Sequence, residues 1–427
     1  MEPGALVCLS GTEEPEVVSR LEAPGSPARV IRRCADLAEL TAAADAGLGD
    51  VAVLQLGRGV DAGRMAHLRR CGLGVVLVAD ATQASRGVAI GVDAVVTDGE
   101  GLADRLVAVI AEVLARRAET PVGRSGPGSV AAPSPAIPDD ARSLTGPERS
   151  GRLVVVWGAH GAPGRTSTAV HLASELALAA PTMLVDADSV APCLTQVLGV
   201  LEETAAVAAL CRAAGQGALD PTLVRSRART LPTGVALVSG LTRADRWREL
   251  APDHLDLVWR AARRCASWIV VDVAGGLEAA PTRGADRWAA TRSALHAADD
   301  VVVTIAGDPV GVRRGVAALT DLDAEGVAAR RHLVATRVRP SRGGRTEEAV
   351  THALERFAGT RPVAVVPQDT AFDDALLAGA TLRETDPRSA ARRAFAELAR
   401  RLDPEVSGAP APARRGVLAR RRGATLA

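Results

Sequence analysis

Short apolar runs alternate with stretches of helical spacing over the first quarter of the chain. The apolar runs predict five strands, at Ala5–Leu9, Arg29–Arg33, Val51–Leu56, Val75–Ala79 and Ala94–Thr97. The segments between them, such as residues 36–46 and 101–115, place apolar residues three and four positions apart, as in helices that pack on a sheet. Five such βα units predict an α/β fold with a doubly wound parallel sheet and a flavodoxin-like strand order.

The pattern stops at residues 117–150, which are rich in Pro, Gly, Ser and Ala and have no apolar period. That composition is typical of a flexible linker. The sequence therefore predicts a first α/β domain at residues 1–116, a linker at 117–150, a second α/β domain at 151–403 and a basic, disordered tail at 404–427.

The second domain repeats the alternation with a larger set of elements. Its apolar runs predict strands at Leu153–Val156, Thr182–Val185, Val235–Ser239, Ser267–Asp272, Asp300–Ala306, His332–Thr336 and Pro362–Val366. Helices are predicted from the end of the first loop to Ala180, and at residues 205–214, 219–229 and 388–402. One face of the last helix carries Ala391, Phe395, Leu398, Ala399 and Leu402, which predicts core packing.

A glycine-rich loop joins the first strand of this domain to the following helix, and residues 152–168 read RLVVVWGAHGAPGRTST. Backbone N–H groups of such a loop and the positive end of the next helix converge on an anion. The usual phosphate-binding pattern is G-x-x-x-x-G-K-[ST]. Here Gly164, Arg165 and Thr166 fill its last three positions, and Ala159 replaces the opening glycine. The sequence therefore predicts a phosphate site with an arginine in place of the lysine.

Three carboxylates follow predicted strands of the same domain. Asp186 and Asp188 come after the run at residues 182–185, where ligands bind in open α/β sheets. They equally suit a turn with a helix N-cap, and their spacing does not decide between the two roles. Asp272 ends a buried run, as in a Walker-B motif. Such a carboxylate holds a water of the Mg²⁺ shell, because Mg²⁺ prefers oxygen ligands and keeps several waters.

The layout of the first domain resembles a response-regulator receiver domain. A receiver needs a phosphorylatable Asp at the end of its third strand, and Gln55 occupies that place. It also needs a lysine after its fifth strand, but all 51 basic residues of this chain are arginines. We therefore predict a degenerate receiver-like domain, used for docking or dimerisation rather than as a phosphorylation switch.

Composition excludes several classes of protein. The formal net charge is +1 and aromatic residues make up 2% of the chain, which argues against nucleic acid as a partner. Six scattered cysteines without a C-x-x-C pair predict buried, reduced thiols. No signal peptide and no membrane-length apolar run are expected, which predicts a cytoplasmic protein. Five arginines in the tail leave open a weak contact with the inner face of the membrane.

Six strand-end motifs together resemble the ParA/MinD family of P-loop ATPases over residues 152–402. In chain order they read GAHGAPGRTST, MLVDADS, WIVVDVAGG, VVVTIAGDP, HLVATR and VPQD. The resemblance implies a P-loop NTPase fold that binds ATP and Mg²⁺ between the facing loops of a homodimer, which separates on hydrolysis.

The resemblance also implies a role for each matching residue. The phosphate cradle is Gly161, Ala162, Gly164, Arg165, Thr166 and Ser167, with Gly276 on the γ-phosphate side. The metal site comprises Thr166, Asp188 and Asp272. Asp188 helps to place the attacking water, Arg165 replaces the loop lysine, and His160 replaces the second lysine that reaches the partner's nucleotide.

The altered cations bear on the rate of turnover. Arginine is a wide planar fork rather than a point donor, and histidine is mostly neutral at pH 7 unless a phosphate raises its pKa. Ala162 and Pro163 stiffen the loop. Arginines can stabilise phosphoryl transfer, so Arg165 does not exclude hydrolysis. The sequence predicts ATP binding with slow or absent hydrolysis.

A receiver-like domain and a linker ahead of such an ATPase resemble the TadZ/CpaE proteins, which localise Flp (Tad) pilus systems. That resemblance predicts an ATP-responsive, dimeric positioning factor whose partners are pilus or secretion-machine proteins. Two alternatives stay open. A MinD/ParA-like partition or division-site ATPase needs an extended basic face or an amphipathic tail. A nucleotide-free scaffold fits the altered loop but leaves Thr166, Asp188 and Asp272 without a role.

Overall fold

The computed structural model describes residues 3–10, 13–57, 59–119, 150–201, 204–278 and 285–406. Most of the predicted linker and nearly all of the predicted tail lie outside these residues, and the predicted domain limits remain predictions. The described residues form two separate sheets. We call residues 3–119 the first unit and residues 150–406 the second unit.

The first unit is a five-stranded parallel sheet between helices. Its strands are β1 Gly4–Cys8, β2 Arg29–Arg33, β3 Val51–Gln55, β4 Gly74–Ala79 and β5 Ala94–Thr97. Its helices are α1 Glu14–Leu21, α2 Leu37–Asp45, α3 Ala62–Arg70, α4 Ala84–Ala89 and α5 Leu102–Glu119. The strand order β2-β1-β3-β4-β5 is flavodoxin-like, as predicted. Helix α5 continues three residues past position 116, into the segment predicted as linker.

The second unit is an eight-stranded sheet, parallel except for the β8–β9 pair. Its strands are β6 Arg152–Trp157, β7 Thr182–Ala187, β8 Arg229–Thr230, β9 Ala236–Val238, β10 Trp268–Val273, β11 Asp300–Ala306, β12 Arg330–Val338 and β13 Ala364–Pro367. Their order is β13-β12-β11-β6-β10-β7-β9-β8. Strand β6 is therefore central, and the loop that follows it lies between the ends of β10 and β11.

Helices cover both faces of this sheet. They are α6 Arg165–Leu176, α7 Leu194–Val197, α8 Ala206–Gly215, α9 Pro221–Arg227, α10 Pro252–Arg263, α11 Ala289–Ala297, α12 Pro309–Ala324, α13 Arg345–Ala358, α14 Ala371–Ala378, α15 Leu382–Thr385 and α16 Ala390–Leu402. One core contains Trp157 and Trp259, and the other contains Phe395. The predicted apolar face of α16 is buried against α6 and β13, which confirms its packing role.

Several predicted boundaries are wrong for local reasons. Helix α6 ends at Leu176 rather than Ala180, because turns follow it and Pro181 cannot continue a helix. Arg229 belongs to the short strand β8 and not to the preceding helix. Asp186 lies inside β7. All six cysteines are free, as predicted, but only Cys34 and Cys211 are buried.

Helix α3 of the first unit packs on α10 and α8 of the second unit. The contact is close at Gly63, because a Cβ there would lie 2.7 Å from Cβ of Asp253 and 2.7 Å from the ring of His254. Nε2 of His254 lies 3.2 Å from Oδ2 of Asp61, and Arg70 pairs with Asp253 at 3.3 Å. This surface therefore combines tight packing with ion pairs. Among the described helices, none combines the length and the apolar character needed to cross a membrane.

Candidate functional site

The glycine-rich loop at residues 158–164 lies at the carboxyl edge of the second sheet. The ends of β7 and β10 meet the same edge, because all three strands are parallel. Strand order reverses at β6, and this topological switch point is where open α/β sheets bind ligands. The fold thus brings the loop and the two predicted carboxylate motifs to one place.

Local contacts fix the shape of the loop. Gly161 and Gly164 have φ values of 69° and 85°, in the left-handed region that favours glycine. The N–H of Ala162 donates to the carbonyl oxygen of Ala159 at 2.9 Å. The hydroxyl of Thr336, on β12, donates to the carbonyl oxygen of Pro163 at 2.9 Å. The loop is therefore held from within and from the neighbouring strand.

Helix α6 begins with an uncapped amino end. Its N-cap residue is Gly164, which offers no side-chain acceptor. Among the hydrogen bonds of the described residues, none uses the backbone N–H of Arg165, Thr166 or Ser167 as its donor. These N–H groups and the positive helix end suit an anion. The predicted phosphate cradle is thus geometrically in place, while its ligand remains a prediction.

The guanidinium of Arg165 folds back against its own loop. Its Nη1 donates to the carbonyl oxygen of Ala162 at 3.3 Å, and its Nη2 lies 3.8 Å from Oδ2 of Asp188. It also lies over Gly275, where a Cβ would come within 2.3 Å of Nη1. Its Nε is buried without a partner. Arg165 is therefore positioned by the loop, by Asp188 and by a glycine that leaves room for it.

Asp186 and Asp188 hold the chain that follows β7. Oδ2 of Asp186 accepts the N–H groups of Cys193 and Leu194, each at 3.1 Å. Oδ1 of Asp188 accepts the N–H groups of Val190 and Ala191 at 2.7 and 2.8 Å. Its other oxygen faces Arg165. Asp188 therefore shapes a turn and also belongs to the site, so the two roles left open by the sequence coexist.

Asp272 is a buried carboxylate of the site whose oxygens have no hydrogen-bond partner. It is 1% exposed. Burial raises its pKa well above the usual value, and the charge of Asp186 adds to this. The Thr166 hydroxyl is near enough to oppose that shift, but it makes no hydrogen bond of normal geometry to the carboxylate. Burial likewise raises the pKa of Asp186 to about 7.

This arrangement fits a hydrated divalent cation. A buried carboxylate without partners is costly unless a cation or donors satisfy it. Asp272 and Asp188 offer oxygen ligands, and the Thr166 hydroxyl in the first turn of α6 is close to Asp272. Mg²⁺ prefers such oxygens and retains waters that could reach them.

His160 lies on the outer side of the loop. Its ring is exposed and makes a T-shaped contact with Trp288, with 5.6 Å between the ring centres. A Cβ on Gly276 would lie 2.2 Å from the His160 ring, so only glycine fits there. The N–H of Gly276 donates to the carbonyl oxygen of Gly158 at 2.8 Å. The structure thus places both residues beside the loop, and their roles in a dimer remain predictions.

Three further residues border the loop and were not among the predicted site residues. Arg314 of α12 points its Nη1 toward Gly161, and Arg337 lines the same cavity of about 250 Å³. Cys193 places its Sγ 3.8 Å from the hydroxyl oxygen of Thr166. No sequence motif identifies Arg314, because it lies on α12, far from the loop in the sequence, and only the fold brings it to the loop.

Comparison with known proteins gives a fold but no close relative. No protein-family model matches the chain, and no curated protein matches it. A ParA-family ATPase from Chlorobium tepidum TLS has a similar structure, with a TM-score of 0.52 and 17% identity over 60% of this chain and 100% of that chain. The septum site-determining protein MinD of Pyrococcus horikoshii, complexed with Mg-ADP, gives a TM-score of 0.47 and 18% identity over 59% of this chain and 96% of that one. The second unit thus has the fold of a ParA-family P-loop ATPase.

Proposed function

We propose that this chain is an ATP-responsive, dimeric positioning factor of the TadZ/CpaE type. It helps to localise Flp pilus or secretion machinery from the cytoplasmic side, and it hydrolyses ATP slowly or not at all. Two features support the proposal: a flavodoxin-like unit precedes a unit with the ParA fold, and the phosphate loop has altered cations.

The observation that carries nucleotide binding is the buried, unpartnered carboxylate of Asp272 beside the uncapped end of α6. An anion at the helix end and a cation at Asp272 would satisfy both groups at once. ATP with Mg²⁺ supplies that pair of charges. The N–H groups of the loop and the first turn of α6 would hold the phosphates, and Thr166, Asp188 and Asp272 would hold the hydrated cation.

The positions of Arg165 and His160, which replace the two lysines of the motif, support slow turnover. Arg165 contacts Asp188 and the Ala162 carbonyl oxygen, so it has to give up both contacts before it can reach a phosphate. His160 packs on Trp288. One missing transition-state contact typically lowers the rate about a hundredfold or more. The geometry therefore favours binding over rapid hydrolysis.

The first unit serves docking in this proposal. At the carboxyl end of β3, Oε1 of Gln55 accepts hydrogen bonds from the N–H and the hydroxyl of Ser10, at 3.2 and 2.6 Å. An amide in this position forms no acyl-phosphate. The unit instead offers surfaces for pilus or secretion-machine proteins.

One observation favours a second candidate, a nucleotide-free scaffold. The Arg165–Asp188 contact partly neutralises the site from within, as in a protein that has replaced its ligand by an internal ion pair. Such a scaffold would keep the fold and lose the nucleotide.

Equilibrium binding of ATP and Mg²⁺ to the full chain separates the two candidates. We expect the wild type to bind, and Thr166→Ala to weaken Mg²⁺-dependent binding about tenfold or more, because the hydroxyl would be one of the oxygens that hold or orient the hydrated cation. The matched control is Thr320→Ala, which removes an exposed hydroxyl on α12 and should bind as the wild type does. Absence of binding in all three proteins would establish the scaffold instead.

A further inference from the structure

Three side chains with different ligand atoms converge in the first unit, away from the loop of the second unit. Asp45 is the last residue of α2, His67 lies in α3, and Cys71 follows α3 directly. A carboxylate oxygen, an imidazole nitrogen and a thiol sulfur from these residues all lie within 4.8 Å of one another. His67 and Cys71 are four positions apart, which puts them on one side of the helix end.

The separations of these atoms are close to those of a tetrahedral metal site. Sγ of Cys71 lies 3.6 Å from Oδ1 of Asp45 and 3.7 Å from Nε2 of His67. Ligand distances to zinc of about 2.3 Å for sulfur and about 2.0 Å for nitrogen or oxygen give edges of roughly 3.5 Å. Nε2 of His67 and Oδ1 of Asp45 are 2.7 Å apart, in a hydrogen bond. That edge has to open by roughly 0.6 Å to accept the ion.

The surroundings leave the cluster available to a cation. The two arginines that follow His67 pair elsewhere: Arg69 with Asp93 at 3.4 Å, and Arg70 with residues of α10. Among the ion pairs of the described residues, Asp45 has only His67 as its partner. The carboxyl ends of α2 and α3 also meet here, and helix carboxyl ends favour positive charge.

We propose that Asp45, His67 and Cys71 form a zinc-binding site, with a water completing the tetrahedron. Sulfur, nitrogen and oxygen together suit Zn²⁺, whereas Mg²⁺ and Ca²⁺ prefer oxygen alone. On binding, the thiol releases its proton to solvent, the Nε2 proton that His67 donates to Asp45 is exchanged through solvent for one on Nδ1, and the Asp45–His67 hydrogen bond is replaced by two bonds to the metal. No electron transfer takes place.

The site also touches the contact between the two units. Nδ1 of His67 lies 4.0 Å from Oδ1 of Asp253, on α10 of the second unit. Zinc on Nε2 leaves the N–H on Nδ1, where it faces this carboxylate. Carboxylates that hold the free N–H of a ligating histidine orient the ring and strengthen metal binding. At 4.0 Å the two groups are not hydrogen-bonded, and an approach of about 1 Å would form that bond and tighten the packing of α3 on α10.

Zinc titration of the full chain tests the proposal. The protein is stripped with a chelator, kept reduced, and titrated with Zn²⁺ against a competing indicator. Wild type should bind one tight equivalent, and Cys71→Ser and His67→Gln should each lower the affinity at least about a hundredfold, beyond the range for a residue that only orients a ligand. The matched controls are Cys265→Ser, another half-buried thiol, and His352→Gln, an exposed histidine. Both should bind as the wild type does.

Cobalt gives a second readout that does not depend on affinity. Co²⁺ in the site should show a thiolate-to-metal charge-transfer band that disappears in Cys71→Ser, a nearly isosteric change that keeps the fold. Absence of tight zinc binding in the wild type would overturn the proposal. Equal binding by wild type and Cys71→Ser, or loss of binding in Cys265→Ser, would do the same.

Discussion

Neutralising Asp272 should stabilise the nucleotide-free protein in a pH-dependent way. Both oxygens of this carboxylate are buried without partners, so its ionised form is poorly solvated. Asp272→Asn keeps the shape of the side chain and removes the charge. Because the folded-state pKa is raised, the wild type loses stability as pH rises from the unfolded pKa through the folded one. The variant does not share this loss, so its advantage should grow from pH 5 to pH 8.

General magnitudes for buried groups set the scale of the effect. A buried charge left without its partner costs about 3–5 kcal/mol. A buried amide without partners costs about 1–3 kcal/mol in its turn. We therefore expect Asp272→Asn to gain about 1–3 kcal/mol at pH 8 and little at pH 5. For a domain of this size, that gain raises Tm by roughly 2–12 °C.

Thermal unfolding in chelator, at pH 5 and pH 8, measures the difference. The control is Asp374→Asn, which neutralises an exposed carboxylate on α14 and should give nearly the same small change at both pH values. Adding ATP and Mg²⁺ at pH 8 should raise Tm of the wild type and not that of Asp272→Asn. A variant that is less stable than the wild type at pH 8, or equally shifted at both pH values, would refute the claim that this carboxylate is uncompensated.

Three further predictions concern other parts of the chain. Incubation with a small phosphodonor should form no acyl-phosphate on the first unit, because the side chain of Gln55 is an amide. Phosphate found by mass spectrometry on any Asp of the unit would contradict this. Gly63→Leu should separate the two units, since its side chain would collide with Asp253; an unchanged radius of gyration by X-ray scattering would contradict it. His160→Lys with Arg165→Lys should raise ATP turnover more than either change alone; a lower rate in the double variant would show that Arg165 is a working catalytic residue.

Hydrophobic patterning predicted most of the architecture. Strands β2, β5 and β11 begin and end at the predicted residues. Strands β5 and β11 are mainly apolar and β-branched runs, whereas β2 has only a β-branched pair, Val30 and Ile31, between arginines. Strand order in the first sheet also followed from the βα alternation. The short strand β8 was not predicted, because Arg229 and Thr230 are exposed and form no apolar run.

The site was predicted in outline but not in its contacts. The sequence predicted that the loop, Asp188 and Asp272 meet at the carboxyl edge of the second sheet, because the ends of parallel strands lie together there. The direction of Arg165 could not be read from spacing, since it depends on the absence of a side chain at Gly275. The cluster of Asp45, His67 and Cys71 was missed for a similar reason. Its members come from two elements, and only the packing of α2 beside α3 joins them.

Sedimentation of the full chain with and without ATP and Mg²⁺ tests the central claim most directly. A nucleotide held between facing loops couples its binding to dimerisation, so ATP stabilises the dimer by mass action. We predict that ATP with Mg²⁺ raises the dimer fraction, and that Asp272→Ala weakens this response. The same mass with and without nucleotide would contradict the account of an ATP-responsive dimer.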